Sequence, residues 1–242
     1  LVEELAKRDV RVLAGMRDPG AFEAVPAGRA LEVRPVRIDL SSRDRVGSSL
    51  DELGSDLGDV GVLVNNAGLF EGGRLEEQDL DLIYGLVQVN LAAMIHLSHR
   101  FLKEMLRRDR GKIVNNASIA GYVHFPGSAA YSASKAGVVA FSESLRREVK
   151  DTGVSVMHLV TPGVDTDMMD ATEAAYEPYV KDASGWGHND PAEWAEKVVK
   201  GIEDDDDIVG PGGPEALAKL ASRGPAAVMD LVAGFAFDRE GK

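Results

Sequence analysis

Two runs decide how this chain is read: Gly111-Lys112-Ile113-Val114-Asn115-Asn116-Ala117-Ser118 and, after a short glycine-containing connection, Tyr131-Ser132-Ala133-Ser134-Lys135. The first is apolar in its middle and ends in a hydroxyl, the pattern of a strand covered on both faces. The second lies in a helix, where Tyr131 and Lys135, four residues apart, share one face on neighbouring turns. A phenol titrates near pH ~10 and is a sluggish acid or base at neutral pH. A fixed ammonium beside it favours the phenolate and pulls that value down. Ser118, thirteen residues before the tyrosine, can donate to the same substrate oxygen. Together they describe a proton-transfer site for a carbonyl or an alcohol. The tyrosine–lysine spacing alone also arises by chance on solvated helix faces, so the rest of the chain has to decide.

Working outward, strands and helices alternate. Val10–Gly15 reads as a buried strand closed by the turn Met16-Arg17-Asp18-Pro19-Gly20. Residues 31–38 read as a second strand with Asp39-Leu40 at its end, and Ser41-Ser42 caps a polar helix to about Leu57. Val60–Val64 is a short apolar run ending in Asn65-Asn66-Ala67-Gly68. A long helix is predicted from Asp79 to Arg108, with Asn90 inside it, then a helix from Ala129 to Lys150 and a strand from Val154 to Val160 that stops at Thr161-Pro162-Gly163. Residues 167–190 show no clean period. Pro191 opens a helix to about Glu203, a short strand lies at Ile208-Val209, and helices are expected over 214–222 and 225–236. This alternation predicts an α/β fold, a doubly wound parallel sheet of the Rossmann type in three α/β/α layers. Its ligands bind at the carboxyl ends of the strands, where Arg17, Asp39, Asn66, Ser118 and Thr161 fall.

The totals are consistent with one domain spanning residues 1–242. The 242 residues are 44% hydrophobic and 28% charged, enough for a sizeable core. A net charge of −13 argues against nucleic acid or an anionic membrane as partner. With no cysteine there is neither a disulfide framework nor a thiolate metal site; no metal is expected, and a reducing compartment, the cytoplasm, is. The block Glu203-Asp204-Asp205-Asp206-Asp207 lacks the spaced ligands and glycine turn of a calcium loop and reads as a solvated turn.

Asp39-Leu40, Asn65-Asn66-Ala67-Gly68, Asn90, Ser118 with Tyr131 and Lys135, and Pro162-Gly163 leading to Thr166, in this order and spacing, resemble the short-chain dehydrogenase/reductase family. The resemblance implies a sheet that binds a nicotinamide dinucleotide and exchanges a hydride with a carbonyl/alcohol pair. It implies Tyr131 as general acid and base, Lys135 lowering its pKa and holding the nicotinamide ribose, Ser118 polarising the carbonyl, and Asn90 holding a water that links Lys135 to solvent. Asp39 and Leu40 would meet the adenine, Asn66, Ala67 and Gly68 the adenosine ribose, and Pro162, Gly163, Val164 and Thr166 the nicotinamide amide. Met16 stands where an acidic residue would accept from the ribose hydroxyls, and Arg17 follows it, a cation able to fork onto a 2′-phosphate. That favours NADP(H); Asp18 keeps NAD(H) open. The substrate expected is a small apolar carbonyl or alcohol framed by Tyr122, Val123, His124, Phe125 and the 167–190 segment. The resemblance also implies a homodimer or homotetramer.

Two departures stand out. The family's Thr-Gly-x-x-x-Gly-x-Gly phosphate loop, with the strand before it, is nowhere in these residues. That strand would lie between those at 10–15 and 60–64, and the expectation is that the 242 residues belong to a longer chain. The path from Pro162-Gly163 to Thr166 is also one residue shorter than the commoner family spacing. The competing readings are a catalytically inactive, dinucleotide-sensing or structural protein of the same fold, and lyase or epimerase chemistry on the same tyrosine.

Overall fold

The computed structural model describes residues 1–25, 28–180 and 188–212; the helices expected over 214–222 and 225–236, and Trp186, lie outside the described residues. The chain opens with α1 (Val2–Leu5), β1 (Arg11–Met16) and β2 (Glu32–Arg37). Next come α2 (Arg43–Leu53), α3 (Asp56–Asp59), β3 (Val62–Asn65), α4 (Leu80–Val87) and α5 (Met94–Arg107). It continues with β4 (Gly111–Asn116), α6 (Ala129–Glu148), β5 (Val154–Leu159), α7 (Asp167–Tyr176), α8 (Pro191–Glu203) and β6 (Ile208–Val209). Strand boundaries fall within one or two residues of those the apolar runs predict. Helix α2 starts where expected, the Ser42 hydroxyl accepting the Arg45 N–H at 3.3 Å, but ends early at Gly54, whose φ of 54° only glycine adopts readily.

Every strand pairing is parallel. The strands form two ladders, β1-β2 and β3-β4-β5-β6, and among the described residues no ladder joins β1 to β3. Alternate residues of β4 and β5 face opposite layers, as the pleat requires. Ile113 and Val156 pack with Leu50 of α2, Phe101 and Met105 of α5 and Leu145 of α6. Val114, Met157 and Leu159 pack with Val198 of α8 and Val209, and Leu1 closes on the same side. Ile113, Val114 and Met157 are fully buried, so β4 and β5 are central and their carboxyl ends are held rigidly.

Two expectations are corrected. The long helix is not uniform: residues Gln88–Ala93 form a π-helical turn between α4 and α5. Such wide turns replace the usual hydrogen bonding and recur where a side chain must be re-aimed. The stretch Leu80–Arg107 is long and apolar enough to cross a membrane by length and composition alone. Its Leu86, Met94, Leu97, Phe101 and Met105 are core residues, while Leu80 and Tyr84 lie exposed on the other side.

The acidic block is not a merely solvated turn. Glu203 pairs with Arg8 at 3.0 Å, Asp204 with Lys200, Asp205 with Lys112 at 2.5 Å, and Asp207 with Arg146. Lys112 is buried at the start of β4, and a buried ammonium needs a partner. Asp205 supplies one and also accepts from the Ser155 hydroxyl at 2.7 Å, which ties the amino ends of β4 and β5 together.

Candidate active site

The carboxyl ends of β3, β4 and β5 carry two matching amide pairs. Asn65 lies opposite Asn115 in the β3–β4 register, and its amide donates to Asn115 Oδ1 at 2.8 Å and to the Ser98 hydroxyl at 3.1 Å. Asn115 in turn donates to the Ser142 hydroxyl of α6 at 2.9 Å. One residue on, the pleat turns the next pair to the opposite side. There Asn116 Nδ2 donates to Asn66 Oδ1 at 3.0 Å, and Asn116 Oδ1 accepts from the Thr161 hydroxyl at 2.5 Å. A polar strap therefore crosses three strand ends.

Helix α6 delivers the reactive pair onto this strap. Lys135 is buried, and its ammonium donates to the Asn116 carbonyl at 2.8 Å, lying 5.8 Å from the centroid of the Tyr131 ring. Burial, by penalising the ammonium, lowers the Lys135 pKa to about 8. Ser118 caps the turn Ile119–Gly121, its Oγ accepting the Ala120 N–H at 3.1 Å, and it lines the same pocket as Tyr131. Burial pushes the Tyr131 pKa up, with the Ser118 hydroxyl acting against it. The Lys135 ammonium is turned to the Asn116 carbonyl rather than to the phenol oxygen.

Asn90 sits in the π-helical turn, buried, with its amide hydrogen-bonded at both the oxygen and the nitrogen. It accepts the Leu69 N–H at 2.7 Å and donates to the Leu69 carbonyl at 2.9 Å and the Ser134 hydroxyl at 3.1 Å. Its side chain clamps the loop after β3 to the turn of α6 that bears Lys135. Gly68 is held in that clamp. A Cβ there would stand 3.4 Å from Asn90 Oδ1 and 3.5 Å from Lys135 Nζ, so the missing side chain keeps the space before the ammonium open.

A pocket of about 350 Å³ opens over these groups. It is lined by Asn66, Gly68, Asn116, Ser118, Tyr131 and Lys135 together with Pro162, Gly163, Val164 and Thr166. The shorter path to Thr166 has therefore not removed these residues from the site: the segment is pinned by Asn189, whose backbone and side-chain N–H groups donate to the Gly163 carbonyl at 3.0 and 2.7 Å. A ribose and a nicotinamide amide fit this donor set, in which Lys135, Asn116, Asn66 and Thr166 offer polar groups beside the open face of Gly68. Arg17, Asp39, Leu40 and Ala67 are not part of the lining. Arg17 is exposed at the end of β1, and among the described residues no ion pair engages it. Asp39 is buried, its carboxylate accepting the Ser41 N–H at 3.0 Å and the Arg45 guanidinium at 3.2 Å, with its pKa lowered chiefly by Ser41. Leu40 packs on the core and its carbonyl accepts from Gln88 at 3.1 Å.

Sequence reasoning passed over Asn116, which braces the floor of the site with Thr161, and Phe70, which walls it with Tyr176. The available signal was the doublet Asn65-Asn66 repeated as Asn115-Asn116 at the ends of two predicted strands.

The family model described as short chain dehydrogenase matches residues 1–177. The chain belongs to the short-chain dehydrogenase/reductase family. Among its curated short-chain relatives is the 3-oxoacyl-[acyl-carrier-protein] reductase FabG of Haemophilus influenzae, 30% identical over 169 residues, 69% of each chain. The short-chain fold is shared with a dehydrogenase of Burkholderia cenocepacia in complex with NADP, with a TM-score of 0.74 and 23% identity over 92% of this chain and 86% of that one. It is also shared with a family member from Burkholderia phymatum in complex with NAD, with a TM-score of 0.72, 23% identity and the same two coverages.

Proposed function

We propose that this protein is an NADP(H)-dependent oxidoreductase that interconverts a small apolar ketone or aldehyde and its alcohol, with Tyr131 as the proton donor and acceptor. The observation that carries the reading is the convergence of Ser118, Tyr131 and Lys135 on one pocket. In reduction, a bound nicotinamide would supply the hydride to the carbonyl carbon and would itself be oxidised. As the C=O π bond opens, the oxygen takes the proton from Tyr131 Oη while the Ser118 hydroxyl stabilises the developing negative charge. Lys135 then faces a phenolate, which an ammonium at this range stabilises. Asn116 and Asn90 hold Lys135 and its helix turn in place. Asn66, Gly68 and Pro162 to Thr166 are proposed to hold the nicotinamide end, and Arg17, with no ion pair of its own among the described residues, the 2′-phosphate. Asp18 accepts the Gly20 N–H of its own turn through one carboxylate oxygen at 3.0 Å, and its other oxygen keeps NAD(H) as the alternative.

The relative's name supports carbonyl reduction as the reaction class, and the NADP and NAD complexes of the fold neighbours support the cofactor class. A second copy of the chain is the proposed cover for the exposed face of α4, where Leu80 and Tyr84 are 67% and 74% exposed. Sedimentation of a monomer at micromolar concentration would contradict that. The test of the main reading is a fluorescence titration of the protein with NADPH and NADH, followed by turnover of simple ketones. NADPH binding tighter than NADH, with turnover, is expected; binding of neither by a folded sample overturns the reading.

A further inference from the structure

The rings in the pocket form a connected run that ends on the reactive phenol. Phe125 meets Tyr176 edge-on at 5.8 Å, Tyr176 lies 6.4 Å from Phe70, and Phe70 meets the Tyr131 ring edge-on at 5.1 Å. All four rings line the cavity, and Met168 and Met169 of α7 add two adaptable apolar side chains. Phe70 has a built place. A Cβ on Gly72 would stand 2.7 Å from the Phe70 ring and 3.0 Å from Ala175 of α7, so a glycine there lets ring and helix close on the loop. Among the described lining residues the only charged side chain is Lys135, and its ammonium is already given to the Asn116 carbonyl at 2.8 Å. Asp167 and Asp170, exposed where α7 begins, add negative charge beside the cavity, while Asp165 is paired with His188 at 2.5 Å.

We infer that the substrate is a neutral aryl ketone, or the corresponding secondary alcohol, whose ring packs among Phe70, Phe125 and Tyr176 beside Tyr131, and that acyl groups borne on acidic carriers and carboxylate-bearing ketones are refused. The inference rests on the reductase reading and narrows it. Aromatic pairs add to simple burial, whereas among the described lining residues an anion would find no cation but Lys135, already given to the Asn116 carbonyl.

Two measurements on the full chain test it. In the first, kcat/KM with NADPH is compared for acetophenone, 2-octanone, benzoylformate and a 3-oxobutanoyl acyl carrier protein. Acetophenone should exceed 2-octanone by roughly tenfold and the two anionic substrates by at least about a hundredfold. In the second, which needs no turnover, binding of 4-fluoroacetophenone is followed by fluorine NMR in the wild type and in Phe70→Leu, a variant that keeps apolar bulk and loses the ring. Weaker binding by roughly tenfold in Phe70→Leu, with an unchanged circular dichroism spectrum, is expected. Turnover in which 2-octanone or the carrier-borne group matches or surpasses acetophenone overturns the aryl assignment and leaves the reductase reading standing. Ring binding lost in Phe70→Leu, with no ketone turned over by the wild type, overturns the reductase reading and leaves the ring site standing. Equal binding by both proteins overturns the ring site outright.

Discussion

Removing the Lys135 charge while keeping its stem, as Lys135→Met, tests how the site makes a phenol useful near neutral pH. The ammonium lies 5.8 Å from the Tyr131 ring centroid in a buried setting. A unit charge at that range, acting through an effective dielectric of ~20, contributes roughly 3 kcal/mol to a developing phenolate. That is about a hundredfold in rate. Because burial holds the Lys135 pKa at about 8, the charge is present below that pH and lost above it. Wild-type kcat/KM for ketone reduction should therefore fall about tenfold per pH unit above this value, the slope of a single titration. Lys135→Met should be roughly a hundredfold slower at pH 7 and flat through the same range, while Lys135→Arg, which keeps its charge at all working pH, should lose the limb. The assay is NADPH consumption from pH 6 to 10 with cofactor binding measured in parallel. A Lys135→Met enzyme within fivefold of wild type, or one that retains the basic limb, would refute the electrostatic argument.

Two further outcomes are expected. Asn116→Val cuts the strap to Asn66 and Thr161, two side-chain hydrogen bonds, and should cost about 1–3 kcal/mol in urea unfolding; it should also shift the basic limb of the pH profile, because the carbonyl that orients Lys135 loses its brace. An unshifted limb would reduce Asn116 to a structural residue. Asp205→Asn removes the partner of buried Lys112 and should cost about 1–2 kcal/mol at pH 7, less than a fully buried pair because Asp205 itself is exposed. The Asp205 pKa is lowered, first by its hydrogen bond to Lys112, so this stability is present above the ordinary carboxylate range and lost as pH falls through the folded value. Stability curves for variant and wild type should converge in acid, and a gap that persists there would contradict the assignment.

Most of what positions the site was legible in the sequence because it is local. Apolar runs ending in Asn65, Ser118 and Thr161 mark strand ends, and parallel strands collect such ends at one edge of the sheet. The four-residue spacing of Tyr131 and Lys135 guarantees a shared helix face. What could not be read depends on which strands lie side by side. Asn116 and Thr161 become a strap only once β3, β4 and β5 are in register. The acidic block becomes a clamp only because the buried amine of Lys112 lies across the sheet from it. Helix α7 escaped notice because only Met169 and Tyr176 of its residues are buried, too few to show a period. Asn90 was noticed as a poor helix residue, but the π-helical turn that aims its amide at Leu69 leaves no mark in composition. Arg17 and Asp39 were placed correctly at strand ends, yet a strand end does not disclose which way a side chain turns, and that of Asp39 turns back into its own loop.

The most direct test of the central claim is ketone reduction by Tyr131→Phe at saturating NADPH, with cofactor affinity measured on the same sample. The change removes only the phenol oxygen that would give the proton. Cofactor binding within a few-fold of wild type and a loss of at least about a thousandfold in kcat are expected, the scale of general acid catalysis. Turnover close to wild type by the phenylalanine variant would contradict the account.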